Sequence, residues 1–179
     1  MTHTVRIELA DVAAWPNLEA ALWASFIADA PRRLAQVRHA LLQGWLPDGG
    51  LQAFAIRDPK PRLIHVAPFA DRVAQHALMR LLEPRLEAAL VPISFACRPG
   101  RGVHAALTHA LVCTRRWPWV LQLDVAHCFP SIPHAPLLAL VRRRVRGSAF
   151  DLLAHIVGGH AASPGRGLPI GSLTSQHLA

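Results

Sequence analysis

The pattern of apolar and polar positions in the first 50 residues predicts two helices. Asn17 is placed to cap a helix that runs to about residue 28. A second helix begins at Pro31, because proline suits the first turn of a helix, and Gly44 ends it. Its apolar residues recur at helical spacing, and they are Leu34, Val37 and Leu41. The sequence therefore predicts a helical N-terminal region over residues 1–50.

The next segment predicts a hairpin followed by a long helix. Residues 51–57 and 62–66 have the composition of two short strands, and the proline-containing turn between them has a basic tip. A strongly helical segment follows at 72–82, with Asp71 as its expected cap. We expect Pro84 to begin a separate turn, because proline suits a first helical position and not a helix interior.

The second half of the chain predicts further helices around one buried strand. Residues 102–116 place their apolar side chains on one helical face, and Trp117 with the following proline ends that helix. The apolar run 119–123 is typical of a buried strand, and it ends on Asp124. Three more helices are predicted: one from Pro133 through the basic cluster Arg142, Arg143, Arg144 and Arg146, one over 150–157, and one begun at 172–179.

The charge balance favours a polyanionic partner. The 179 residues carry 19 Lys and Arg against 11 Asp and Glu, a net charge of +8, and Lys60 is the only lysine. Arginine pairs with phosphate through two parallel hydrogen bonds, so an arginine-rich surface suits nucleic acid. A GC-rich coding sequence would also enrich arginine, and composition leaves both explanations open. From Pro92 onward only Asp124 and Asp151 are acidic, so a carboxylate there is rare.

The cysteines and the N-terminus bear on compartment. Cys97, Cys113 and Cys128 are an odd number without CxxC spacing, which argues against a disulfide framework and against a structural zinc site. The first 15 residues contain charges and no apolar signal core, and no apolar run is long enough to span a bilayer. We expect a soluble cytoplasmic protein with no membrane partner.

Asp124 is the first candidate for chemistry. An ionised carboxylate at the end of a buried strand requires compensation for its lost hydration, and a divalent metal would supply it. Taken alone, an aspartate that caps the following turn explains the residue as well.

The residues after Asp124 extend the pattern. Residues 124–132 (DVAHCFPSI) resemble the palm motif of reverse transcriptases, in which an aromatic residue follows the metal-binding aspartate by five positions. The resemblance implies that Asp124 binds metal beside the Val125 carbonyl, and that Phe129 is the steric gate against a ribose 2′-hydroxyl. As an isolated residue, Phe129 would be assigned to ordinary core packing.

Two further blocks resemble the same family in the expected order. Residues 60–78 resemble its fingers motif, which implies that Arg62, with Lys60 and Arg72, binds the incoming triphosphate. A solvated basic turn is the alternative. Residues 94–107 resemble the block that follows, so Arg98 and Arg101 are expected to contact template or primer backbone, or else to serve solubility.

Residues 167–176 (GLPIGSLTSQ) resemble the palm loop that packs against the nucleotide and the templating base pair. The resemblance implies that Ile170 and Gly171 contact the dNTP, and that Ser175 and Gln176 contact template or primer. Many family members have Gln where this chain has Ile170, and the variant resembles the enzymes of diversity-generating retroelements. Loss of that hydrogen-bonding side chain implies lower fidelity.

The resemblance implies an α+β fold with right-hand polymerase fingers at 51–116 and a partial palm at 117–179, helix-rich with a small antiparallel sheet and without a thumb. The implied function is RNA-directed DNA synthesis from dNTPs on an RNA template and a DNA or RNA primer, with two Mg²⁺ ions. The 179 residues contain no tyrosine and no Asp-Asp dipeptide, so the family's other catalytic carboxylates are missing. We therefore expect these residues alone to be inactive. A non-catalytic nucleic-acid-binding module is the alternative.

Overall fold

The computed structural model describes residues 5–6, 8, 10, 30–57, 61–159 and 163–179. The helix predicted from Asn17 to residue 28 and the tip residue Lys60 lie outside the described residues. The described part is α+β and helix-rich, as the sequence predicts.

Seven helices and four short strands are formed by the described residues. The helices are α1 (Ala30–Leu42), α2 (Phe69–Glu87), α3 (Val103–Arg116), α4 (Cys128–Ser131), α5 (His134–Arg142), α6 (Ser148–Gly159) and α7 (Leu173–Leu178). The strands are β1 (Val5–Arg6), β2 (Gln52–Arg57), β3 (Pro61–Val66) and β4 (Val145–Arg146).

The predicted hairpin is confirmed. Strands β2 and β3 pair antiparallel, with Gln52 opposite Val66 and Arg57 opposite Pro61. A second pairing was not predicted: β1 and β4 run parallel, with Val5 opposite Val145. Parallel strands need a long connection between them, and here 138 residues lie between the end of β1 and the start of β4. Local patterning therefore gives no sign of the pairing.

The core forms around α2. Its buried residues pack with those of α1 and α6, and α7, the last helix of the chain, also contacts it. In α1 the three buried side chains are Leu34, Val37 and Leu41, as the helical spacing predicts. Apolar residues three and four positions apart share one helical face, so a single stripe reaches the core.

Helix α2 differs from its prediction at both ends. Pro68 occupies its N-cap, and Asp71 lies in the first turn instead of capping it. Pro84 is inside the helix, which continues to Glu87. The break expected there is wrong because proline removes only one backbone hydrogen bond near the helix end, while Leu82 and Leu86 still pack against the core.

The predicted strand 119–123 is also wrong. Residues 117–125 form no helix or strand, and Trp119 and Leu121 are 89% and 81% exposed. An isolated extended segment has no neighbour to accept its backbone hydrogen bonds, so an apolar run becomes a strand only beside other strands. The helix through the basic cluster likewise ends at Arg142, and Arg146 lies in β4.

Among the described helices, none combines the length and apolar character needed to cross a lipid bilayer.

Candidate functional site

Three of the sequence blocks that resemble polymerase motifs meet at one loop. From here the name palm loop is kept for residues 167–172, the part of the 167–176 block that precedes α7. Its first part is bonded to the turn that carries Phe129: the Leu168 N–H donates to the Phe129 carbonyl at 2.9 Å, and the Gly167 N–H donates to the Ile132 carbonyl at 2.8 Å. The buried His134 ring lies 2.8 Å from the Gly167 carbonyl, so this histidine has a structural role. These contacts fix the palm loop against α4 and the start of α5.

The second part of the palm loop is bonded to the hairpin. The His65 N–H donates to the Ile170 carbonyl at 2.8 Å, so strand β3 gains a neighbour on its outer side. Gly171 follows with a φ of +106°, and a Cβ at this position would lie 2.7 Å from the His65 carbonyl oxygen. Only glycine allows both this backbone conformation and this close approach.

The end of the palm loop is bonded to α2. The Ser172 hydroxyl donates to the Gln75 side-chain oxygen at 3.2 Å and lies 2.8 Å from the Thr174 hydroxyl. Gln75 is 1% exposed, and its side-chain nitrogen has no hydrogen-bond partner in the described part of the protein. A buried polar group of this kind holds two elements in a fixed relation, because separating them leaves further groups without partners.

A cavity of about 270 Å³ lies beside this junction. It brings together Arg72, Gly171 and Gln176, which the sequence assigned to the triphosphate, the nucleotide and the template or primer. The Arg72 side chain is exposed, and its guanidinium lies 5.4 Å from the centre of the Phe69 ring. A cation beside a cavity with hydroxyl and amide groups suits an anionic, hydrogen-bonding ligand.

His76 also lines this cavity, and its pKa is lowered. Burial is the largest cause, followed by the positive charge of Arg72 and by His177. The imidazole is therefore neutral at pH 7, so Arg72 is the charged group of the cavity wall.

Asp124 and Val125 lie in the irregular exposed segment, apart from these contacts. Phe129 is half-buried in α4, which His127 begins with a left-handed backbone, φ +51°. Within the described residues, no three His, Cys, Asp or Glu side chains are grouped so that they could hold a metal ion. The residues present therefore do not fit a complete two-metal site.

The two arginines assigned to template or primer bind the protein itself. Arg98 is 7% exposed at its side chain, donates to Glu87 at 2.7 Å, and also donates to the carbonyls of Val91 and Ser94. The Arg101 guanidinium donates to the Pro92 carbonyl. Both side chains therefore stabilise the loop before α3. Their contact with nucleic acid stays a prediction.

The remaining predicted site residues are distributed between surface and interior. Arg62 and Gln176 are exposed, Ile170 is half-buried, and Ser175 is buried in α7. Lys60 lies outside the described residues.

The sequence predicted Asp71 only as a helix cap and missed its role in joining two distant segments. Its carboxylate is fully buried and accepts hydrogen bonds from the backbone N–H groups of Asp48 at 2.8 Å and Gly49 at 2.9 Å. Burial raises the pKa of Asp71, although these backbone donors act in the opposite direction. The contact ties the loop before the hairpin to α2. An Asp inside the matched fingers block was the only sign in the sequence, and its hydrogen-bond partners are more than 20 residues away.

Sequence similarity to known proteins agrees with the family indicated by the motifs. Protein YkfC of Escherichia coli (strain K12) is 30% identical in an alignment 132 positions long that covers 67% of this chain and 35% of that protein. Group II intron-encoded protein LtrA of Lactococcus lactis subsp. cremoris is 28% identical over 54% of this chain. Nuclear intron maturase 2, mitochondrial, of Arabidopsis thaliana is 30% identical over 48% of it.

The similarity supports the superfamily of group II intron-encoded proteins and maturases. The chain spans 35% of the length of the E. coli relative, 16% of the L. lactis relative and 12% of the A. thaliana relative. No protein-family model matches the chain.

Proposed function

We propose that this chain forms the fingers and the first part of the palm of an RNA-directed DNA polymerase. In this proposal the protein extends a DNA or RNA primer with dNTPs on an RNA template. The similarity to intron-encoded proteins and maturases supports the family, and the ordered sequence blocks support the reaction.

The palm loop is the single observation that carries the proposal. One six-residue segment contacts the turn of Phe129, the strand β3 and the helix α2 through the hydrogen bonds described above. A polymerase has to hold its sugar gate and its triphosphate-binding residues in a fixed relation, because small displacements of the nucleotide slow the reaction strongly. The three contacts supply such a relation between Phe129 and the triphosphate-binding residues of the fingers block, which lie about 60 positions earlier in the chain.

We assign the nucleotide phosphates to the exposed guanidinium groups of Arg72 and Arg62. Stabilisation of charge on the transferred phosphoryl group is the main task of the protein in such a reaction. Lys60 is proposed for the same role from its place in the fingers block.

The exposed segment 117–125 supports the further proposal that additional strands complete the palm. In its last five residues the apolar side chains of Leu121, Leu123 and Val125 alternate with Gln122 and Asp124, as in a strand with one apolar face. Pairing with strands that bring more carboxylates would bury the apolar face and gather metal ligands at Asp124 and the Val125 carbonyl. Mg²⁺ is the proposed ion, and it would stabilise the developing charge of the displacement.

Primer extension tests the proposal. The 179 residues alone should give no extension with Mg²⁺ and dNTPs, and the longest open reading frame that contains them should extend a primer on RNA. Asp124→Asn should abolish that extension, whereas Glu83→Gln, which changes a carboxylate of α2 outside the matched blocks, should leave it intact. A longer protein with full activity after Asp124→Asn would contradict the proposal.

A second candidate function is nucleic-acid binding without catalysis. The basic character of the chain, with a net charge of +8, favours it, because binding to phosphates needs positive charge and no metal site. This function predicts salt-sensitive RNA binding that Asp124→Asn does not change, with no primer extension from any longer protein.

Low fidelity, as in diversity-generating retroelements, is a finer proposal that rests on Ile170. Ile170→Gln would restore a hydrogen-bonding side chain to the palm loop, and we expect fewer misincorporations by the active longer protein. An unchanged error rate would contradict it.

A further inference from the structure

A second basic region lies where α5, β4 and α6 meet. Three arginines, Arg142, Arg143 and Arg146, line an open cavity of about 610 Å³ together with Phe150 and Asp151. All three arginines are exposed, and none of them lines the cavity beside Arg72. The cavity wall carries three positive charges against the single carboxylate of Asp151. The Glu8 carboxylate lies outside this wall, where it accepts hydrogen bonds from the backbone N–H and the hydroxyl of Ser148 at the start of α6.

Two of these arginines belong to packed elements of the fold. Arg142 lies with its guanidinium carbon 5.5 Å from the centre of the Phe150 ring, and that ring is 8% exposed. Arg146 is in β4, between the fully buried Val145 and the nearby fully buried Ala149. Side chains on packed elements lose less conformational freedom on binding than side chains on a loop.

The charge of this region is not neutralised within the described residues. No carboxylate there forms an ion pair with Arg142 or Arg146. Arg143 has a contact of its own within the protein, so the argument rests on the other two. A solvated helix end would explain basic side chains, but not their convergence on a concave surface with one acidic residue.

We infer that this cavity, walled by Arg142 and Arg146, is a second RNA-binding site that takes the phosphate backbone. Guanidinium groups suit phosphate oxygens because two parallel hydrogen bonds fit both partners. The one aromatic ring in the cavity is buried beneath Arg142, so it offers no face for base stacking, and the binding is independent of sequence. The site does not require polymerisation.

Fluorescence anisotropy with a labelled single-stranded RNA of about 20 nucleotides, in EDTA, tests the site in the full chain. Arg142→Gln/Arg146→Gln should weaken binding about tenfold. The slope of log affinity against log salt should become less negative by about 1.4, because each lost contact contributes about 0.7 on a single strand. Circular dichroism and thermal melting confirm that the variant is folded.

Arg115→Gln/Arg116→Gln is the matched control, because both residues are exposed at the end of α3 and the charge change is the same. It should retain most of the affinity. An equal loss in the control would overturn the inference, since net charge would then explain the effect. Arg142→Lys/Arg146→Lys should keep the salt slope, and a slope reduced as far as in the Gln variant would also overturn it.

Two competing ligands complete the test. If Arg142→Gln/Arg146→Gln weakened binding to polyglutamate or to anionic phospholipid vesicles and left RNA binding unchanged, the inference would be wrong. This RNA binding is measured in EDTA, so it does not depend on the divalent metal that primer extension needs. Absent primer extension would therefore contradict the polymerase proposal and leave this site untouched, whereas unchanged RNA binding in Arg142→Gln/Arg146→Gln would contradict this site alone.

Discussion

The backbone N–H of His65 donates a hydrogen bond to the carbonyl of Ile170 at 2.8 Å, and this contact joins the hairpin to the palm loop. The two residues are 105 positions apart in the chain. Gly171, the next residue, allows the contact because a side chain there would overlap with the His65 carbonyl.

Gly171→Ala should destabilise the protein by about 2–4 kcal/mol, from the left-handed backbone and from overlap with β3. Chemical denaturation measures the change. Gly165→Ala separates the two causes, since Gly165 has a φ of +70° but nothing within 4 Å of an added Cβ. It should lose only about 1–2 kcal/mol. Equal losses would show that the contact with β3 contributes nothing.

Asp71→Ala should reduce the free energy of unfolding by about 2–4 kcal/mol, because the N–H groups of Asp48 and Gly49 lose their acceptor. Hydrogen exchange should show the loop at 48–50 opening more often. Asp151→Ala, at an exposed position in the first turn of α6, should lose no more than about 1 kcal/mol. A comparable loss in both variants would contradict a specific anchoring role for Asp71.

The stability of the folded protein should decrease as the pH is lowered, and His76 is one source of this dependence. The pKa of His76 is lowered in the folded protein by burial, by Arg72 and by His177, so the unfolded chain binds the proton more readily. The stabilisation is therefore present above pH 6.5, the ordinary value, and is lost as pH falls through the lowered pKa.

His76→Gln should remove this part of the pH dependence, as measured by urea unfolding between about pH 7.5 and 5. The control is His104→Gln, at an exposed position in α3, which should keep the dependence of the parent protein. A parent-like slope in His76→Gln would rule out His76 as its source.

Arg98→Ala should increase amide exchange across residues 91–101, because one guanidinium there binds Glu87 and two backbone carbonyls. Arg98→Lys should rescue little, since an ammonium group cannot reproduce the planar set of donors. Arg115→Ala should leave this loop unaffected. Protection unchanged by Arg98→Ala would remove the structural role assigned to this arginine.

Local patterning was sufficient for the helix α1 and for the hairpin β2–β3. The apolar spacing predicts the buried face of α1, because side-chain direction in a helix is set by the local backbone. The hairpin follows from the strand composition of its two segments and the proline-containing turn between them. The helix α3 was predicted within one residue at its start, yet it has no buried residue among those described. Local spacing predicts that apolar side chains share one face of this helix, but it does not specify whether another element covers that face.

The candidate site was predictable in its residues and not in its arrangement. The blocks containing Arg72, Phe129 and Gly171 were each recognisable in the sequence, but their meeting at the palm loop depends on hydrogen bonds between distant segments. Arg98 shows that residue type does not identify the partner of a single side chain. Its charge predicts a phosphate contact, and only its position shows that carbonyl groups and Glu87 surround it.

The sequence by itself determined the local helices, the hairpin, the basic character and the ordered motifs, since these depend on side-chain spacing and residue type. The tertiary structure decided which segments meet. It placed Asp71 against the 48–50 loop and Gly171 against His65, and it left 117–125 exposed. The physical reason is that a buried polar contact or a paired strand needs a partner far along the chain, and residue type alone does not specify that partner.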